Sequence, residues 1–130
     1  MPLEGGVRTA LLQAAERVAP SMAPATVGNT LLGLRDLGVP LEGDARIALL
    51  QAAERVAPKM GLVTVDSTLS GLSELNVALD DGVRTALLQA LERVAPSTDA
   101  SAGAQRAWVA WRRLELQGMG LDVHHLRLDL

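Results

Sequence analysis

The sequence predicts an all-α fold, an α-solenoid of three stacked helix-turn-helix repeats of about 38 residues. Three observations predict it. The block Ala-Leu-Leu-Gln-Ala-Ala-Glu-Arg-Val-Ala-Pro fills 10–20 and 48–58, and returns at 86–96 with Leu91 in place of Ala15. The offset is 38 residues each time, a period typical of repeat arrays. Apolar residues make up 48% of the 130 residues but aromatics only 2%, so the core must be built from Ala, Leu and Val. Such a core suits closely packed helices better than sheets.

The chain is thus expected to be one repeat domain, with units at 3–40, 41–78 and 79–117 and a tail at 118–130. Units one and two agree at 24 of 38 positions, so they are read as one structure made twice. Unit three diverges after Pro96 and reads as a C-terminal cap. Each unit opens with Leu-Glu-Gly-Gly, Leu-Glu-Gly-Asp or Leu-Asp-Asp-Gly, where Asp or Gly precedes an apolar run and marks a helix start.

The first helix of unit one is expected over 7–19, stopped by Pro20, as Pro58 and Pro96 stop its copies. Val7, Ala10, Leu11, Leu12, Ala14, Ala15, Val18 and Ala19 cover roughly 200° of this helix. That arc is too wide for one contact face, so neighbours are expected on more than one side. The second helix is expected over 27–37, with Thr26 and Thr64 as N-cap residues. Its stripe is Val27, Leu31, Leu34 and Leu37, repeated as Val65, Leu69, Leu72 and Leu75. It should end at Gly38 in one unit and Asn76 in the next, the two residue types that best tolerate a left-handed cap. Gly33 and Gly71 lie inside it, where glycine costs about 1 kcal/mol against alanine. Either a neighbouring helix passes close there, or both descend from one duplication.

In unit three a one-residue insertion brings Trp108, Trp111 and Leu114 onto the positions of Leu31, Leu34 and Leu37, where the Trp side chains could seal the stack. The tail admits a short strand, the start of a fourth unit, or disorder.

Ala14 to Val39 resembles the octotricopeptide repeat, a family of helix pairs of about 38 residues with a motif near Asn-Thr-Leu-Trp-Ala-Leu-Ala-x-Leu-Gly. The chain has Asn29-Thr30-Leu31-Leu32-Gly33-Leu34-Arg35-Asp36-Leu37-Gly38, then Ser67-Thr68-Leu69-Ser70-Gly71-Leu72-Ser73-Glu74-Leu75-Asn76. The spacing of Met22 to Val27 and of Met60 to Val65 also looks family-like. This resemblance implies an α-solenoid that binds single-stranded RNA. The repeats of certain bacterial type III effectors look similar in period, although no Ser-Lys-Trp-Pro tetrapeptide occurs.

The residues support few chemistries. With no Cys there is no disulfide, thiolate site or Cys nucleophile. His124 and His125 are adjacent, whereas zinc sites need ligands converging from spaced positions. No nucleophile triad, phosphate loop or paired-carboxylate set stands out. The chain is therefore expected to be no enzyme, with no catalytic residue, cofactor, metal or small-molecule substrate. Net charge is −3 and no continuous basic track exists, which disfavours general affinity for nucleic acid. Arg outnumbers Lys eleven to one, which with the Ala, Gly and Leu bias points to a GC-rich, bacterial genome. No signal peptide or membrane span is read, so a cytoplasmic location is expected, a secreted effector being the alternative.

The expected function is a macromolecular interaction scaffold, with a protein partner or self-association placed ahead of single-stranded RNA. Candidate contacts are the positions where the units differ on the second helix: Gly28, Asn29, Leu32, Arg35 and Asp36, against Asp66, Ser67, Ser70, Ser73 and Glu74. They share one polar side, roughly 80–200° from Val27. Arg106, Arg112 and Arg113 join them from unit three, interleaved with Trp108 and Trp111. The invariant Glu16-Arg17, Glu54-Arg55 and Glu92-Arg93 are expected to form a solvated ladder with ion pairs between units. Helix 7–19 carries the same broad apolar arc as its copies, yet no helix precedes it. Its face is therefore expected to be covered by a partner, a second copy or upstream repeats.

Overall fold

The computed structural model describes residues 5–96 and 101–118. They contain six α-helices: α1 Gly5–Val18, α2 Pro24–Asp36, α3 Gly43–Val56, α4 Leu62–Glu74, α5 Asp81–Val94 and α6 Ala102–Gly118. No strand occurs among the described residues. The fold is all-α. The tail readings and the His124-His125 pair lie outside the described residues.

The helices pack as two layers. In one, α2 lies against α4 and α4 against α6; in the other, α1 lies against α3 and α3 against α5. The apolar residues form one cluster running through both layers. Leu49, Leu50, Ala52, Ala53 and Val56 of α3 are all buried, as the wide arc predicts for a helix with neighbours on two sides.

The ends of α2 and α4 follow the expected chemistry. Gly38 has φ +68° and Asn76 has φ +58°. Val39 N–H donates to Leu34 O at 2.9 Å and Val77 N–H to Leu72 O at 3.1 Å. Gly38 and Asn76 N–H donate to Arg35 O and Ser73 O, which completes a Schellman motif in both units. Val39 and Val77, the residues after the left-handed position, are buried.

The helix starts correct the sequence expectation. Thr26 and Thr64 are not N-caps: α2 begins at Pro24 and α4 at Leu62, so each Thr is the third helical residue. Proline at the first helical position lacks an N–H that would be unpaired there anyway, so Pro24 starts the helix early. Asp80 does cap α5, accepting from Val83 N–H at 2.9 Å. Pro20 and Pro58 do not break the chain sharply. They sit in 3-10 turns, Ala19–Ser21 and Ala57–Lys59, that extend α1 and α3.

The seam between α4 and α6 is built from small residues. Gly103 of α6 lies beside Leu62 of α4. Ala107 and Ala110 share its face at helical spacing and are buried, at the positions of Thr68 and Gly71. Trp111 and Leu114 are buried, and Trp108 packs partly buried against the core.

Candidate interaction surfaces

Most of the variable side of the second helices is a seam between units. Gly28 is buried against α4, where a Cβ would meet Ser67 Cβ at 3.2 Å and Thr68 Oγ1 at 3.4 Å. Arg35 reaches Glu74 at 3.1 Å and its neighbour Asp36 at 2.8 Å. Hydrogen bonding to Asp36, and then the charge of Glu74, raise the Arg35 pKa above its ordinary value despite desolvation. Asp66 holds Arg106 at 3.4 Å and accepts from Ser70 at 3.3 Å. Gln117 Nε2 donates to Ser73 O at 2.8 Å, and Ser73 is buried.

The candidate set must therefore be divided. Gly28 and Ser73 are corrected: they lie between helices rather than on an outer surface. Arg35, Glu74, Asp66 and Arg106 face each other across neighbouring helices, and Leu32, Ser67, Ser70 and Arg113 are half-buried. Asn29, Asp36 and Arg112 are exposed. At the paired positions the units differ in a complementary way, Arg opposite Glu and Asp opposite Arg. Such exposed pairs contribute about 0–1 kcal/mol each, so they favour one order of units more than they add stability.

The invariant Glu-Arg block is also a joint, and its partners are helix ends. Arg55 Nη2 donates to Ala19 O at 3.2 Å and to Met22 O at 3.0 Å. Arg93 repeats this on Ala57 O at 2.9 Å and Met60 O at 3.1 Å. Each guanidinium thus meets carbonyls at the end of the preceding unit's first helix, where the helix dipole is negative. Glu54 points the other way, and a Cβ at Gly82 would fall 2.5 Å from its Oε1. Its carboxylate thus lies beside Gly82 in the first turn of α5. Glu54, Arg55 and Arg93 are exposed, as a solvated face expects, but Arg55 and Arg93 bond backbone carbonyls of the preceding unit in place of the expected ion pairs.

Arg93→Ala should lower stability by about 1.5 kcal/mol, because two carbonyls lose charged donors, while Arg17→Ala should change it by under about 0.5 kcal/mol. Urea unfolding of both variants checks the difference. Equal effects would show that the Arg93 bonds carry no stability.

The first and last described helix pairs are unlike. At the last unit, Trp108 Nε1 donates to Ala95 O at 2.8 Å. Ala95 corresponds to Ala19 and Ala57, so indole takes the carbonyl that an arginine takes elsewhere. Arg84 lies over the Trp111 ring, 5.7 Å from its centroid. At the first unit, α1 and α2 frame an open groove of about 290 Å³, lined by Leu11, Ala15, Val18, Gly33, Leu34 and Leu37 among others. Val18 is 45% exposed and Leu37 48%, whereas Val56, the copy of Val18, is 3% exposed.

Sequence reasoning missed this groove's shape. The signal was present: the same block must be covered in two units and has no described neighbour in the other. Among the described residues no group of three or more His, Asp or Glu converges as a metal site, and no helix is long and apolar enough to cross a membrane. Compared with family models, curated proteins and solved structures, the chain matches none.

Proposed function

We propose that the chain is an α-solenoid of three helix-turn-helix repeats acting as a non-catalytic protein-interaction module, whose partner covers the end formed by α1 and α2. The observation that carries the proposal is the contrast at matched positions, Val18 at 45% exposure against Val56 at 3%. Val7 and Leu37 extend the same apolar end. A face of this kind marks an interaction site in a folded protein. Single-stranded RNA, implied by the octotricopeptide resemblance, has less support. Arg35 and Arg106 are engaged by carboxylates, and Trp111 is buried rather than open for base stacking.

The test uses the absence of native cysteine. A photo-cross-linker is attached to Val18→Cys, and for comparison to Gln51→Cys on the exposed side of α3, in cells that express the chain. A defined polypeptide should be captured from position 18 and not from 51, and Leu11→Asp should abolish capture without lowering helicity. Capture of nucleic acid alone, weakening steeply with salt, would replace the protein reading with the RNA one. Equal capture from both positions would reject the surface.

A further inference from the structure

We infer that this chain binds a second copy of itself head to tail, with α6 of one copy against α2 of the next. This rests on the interaction function proposed above and names the partner. The seams inside the chain share one register. Gly28 lies against Ser67, and Asp66, the copy of Gly28, holds Arg106, the copy of Ser67. Arg35 meets Glu74 at 3.1 Å. With the one-residue insertion of unit three, Gln105 copies Gly28 and Asp66, and Arg112 copies Arg35. On the first unit, Asn29 and Asp36 are the copies of Ser67 and Glu74. A joint in this register between α6 of one copy and α2 of another sets Arg112 opposite Asp36 and Gln105 opposite Asn29.

The facing residues suit each other. Arg112 and Asp36 are both exposed. Both contacts of Arg35 with Asp36 use Oδ1, which leaves Oδ2 for a second guanidinium, and the Asp36 side chain is 65% exposed. The joint thus repeats the Arg35 and Glu74 pair of the first seam with Arg112 and Asp36. Gln105 and Asn29 carry no charge, so no like charges meet there. The same register brings Trp108, the copy of Leu31, over Gly33, the copy of Gly71. Leu31 packs against Gly71 because no side chain stands there, and a Cβ on Gly33 has nothing within 4 Å. Trp108 is half-buried, as are Val109 and Leu116, one turn either side of Arg112. Their apolar surface and the groove lined by Leu11, Val18, Leu34 and Leu37 would be covered together. The complement of α2 is thus carried by this chain's own α6, which makes the partner a second copy. Each copy offers both halves of the joint, and a heterologous contact of this kind builds open stacks rather than closed dimers. One exposed ion pair contributes little, so association is weak and depends on concentration.

Sedimentation of the full chain from about 10 µM to about 1 mM tests the joint. The weight-average mass should rise through that range without a plateau at the dimer. Asp36→Arg alone and Arg112→Asp alone should each weaken association roughly fivefold, because like charges then face each other at every joint. An equimolar mixture of the two variants should recover it, since mixed joints again pair opposite charges. Both sites are exposed, so circular dichroism should show unchanged helicity. Where a reversal lowers helicity, Asp36→Asn and Arg112→Gln carry the test, each weakening association about twofold. A chain that stays monomeric at the highest concentration overturns the inference. A plateau at the dimer, or association that the substitutions leave unchanged, overturns it as well, as does a mixture of reversed variants that associates no better than its components. A monomer whose Val18→Cys cross-linker captures another polypeptide overturns the second copy and leaves the protein-interaction function standing with a different partner.

Discussion

Gly71→Ala is expected to destabilise the protein by about 2 kcal/mol, while the same change at Gly33 stabilises it by up to about 1 kcal/mol. In a helix interior, alanine gains about 1 kcal/mol over glycine through backbone entropy. At Gly33 nothing lies within 4 Å of the new methyl group, so that gain is kept. At Gly71 the methyl would stand 2.8 Å from Leu31 Cβ and 3.2 Å from Leu31 C. The obstructing atoms are not the free end of a flexible side chain. Helix α2 must move away from α4, which disturbs buried Leu31, Leu69 and Leu72 together. Overpacking of this kind costs typically 1–3 kcal/mol, taken here near its upper end. Thermal unfolding should place the two variants on opposite sides of the parent, separated by roughly 10 °C. Stabilisation by both would mean that the helices are not in contact at Gly71.

Trp111→Ala should cost about 3–5 kcal/mol, the largest single-residue effect expected. Trp111 is 3% exposed and sits in the buried cluster on the stripe position shared with Leu34 and Leu72. Truncation would leave a cavity at the end where no further described helix can close over it. The Arg84 guanidinium over the ring would also lose its contact, worth about 0.5–1 kcal/mol. Denaturant unfolding measures the loss. A base-stacking tryptophan would behave differently: its removal would leave stability unchanged and weaken binding of single-stranded RNA.

The local fold was largely legible because local requirements have local signatures. A left-handed residue after a helix must be Gly or a close substitute, so Gly38 and Asn76 announced one boundary in two units. The wide apolar arc announced neighbours on two sides, and α3 has them. The starts of α2 and α4 were less legible. Threonine can serve as a cap or as a first-turn residue, and Pro24 decides between these in α2 by opening the helix earlier.

The candidate surface was legible only in part. Helical periodicity separates a core stripe from the remainder of a helix, but it does not say which part of the remainder meets another helix. In this stack the second helices have flanking neighbours of their own kind. Gly28 and Arg35 therefore face the following unit, while Thr30 and Gly33 line the open end. Differences between units looked like ligand-reading positions because complementary seams and variable ligand contacts leave the same trace in one sequence. Conversely, the sameness of Arg55 and Arg93 reflects one joint made twice among the described residues.

The openness of that joint is measured most directly by thiol reactivity, since the chain has no cysteine of its own. Val18→Cys and Val56→Cys are near-conservative changes at copies of one position, and cysteine behaves as a small hydrophobe. With the isolated protein at low micromolar concentration, the Val18→Cys thiol should react with a maleimide at close to the rate of a free thiol. The Val56→Cys thiol should react at least about a hundredfold more slowly, limited by local opening. Equal protection of the two thiols would contradict an open first unit, and with it the docking face.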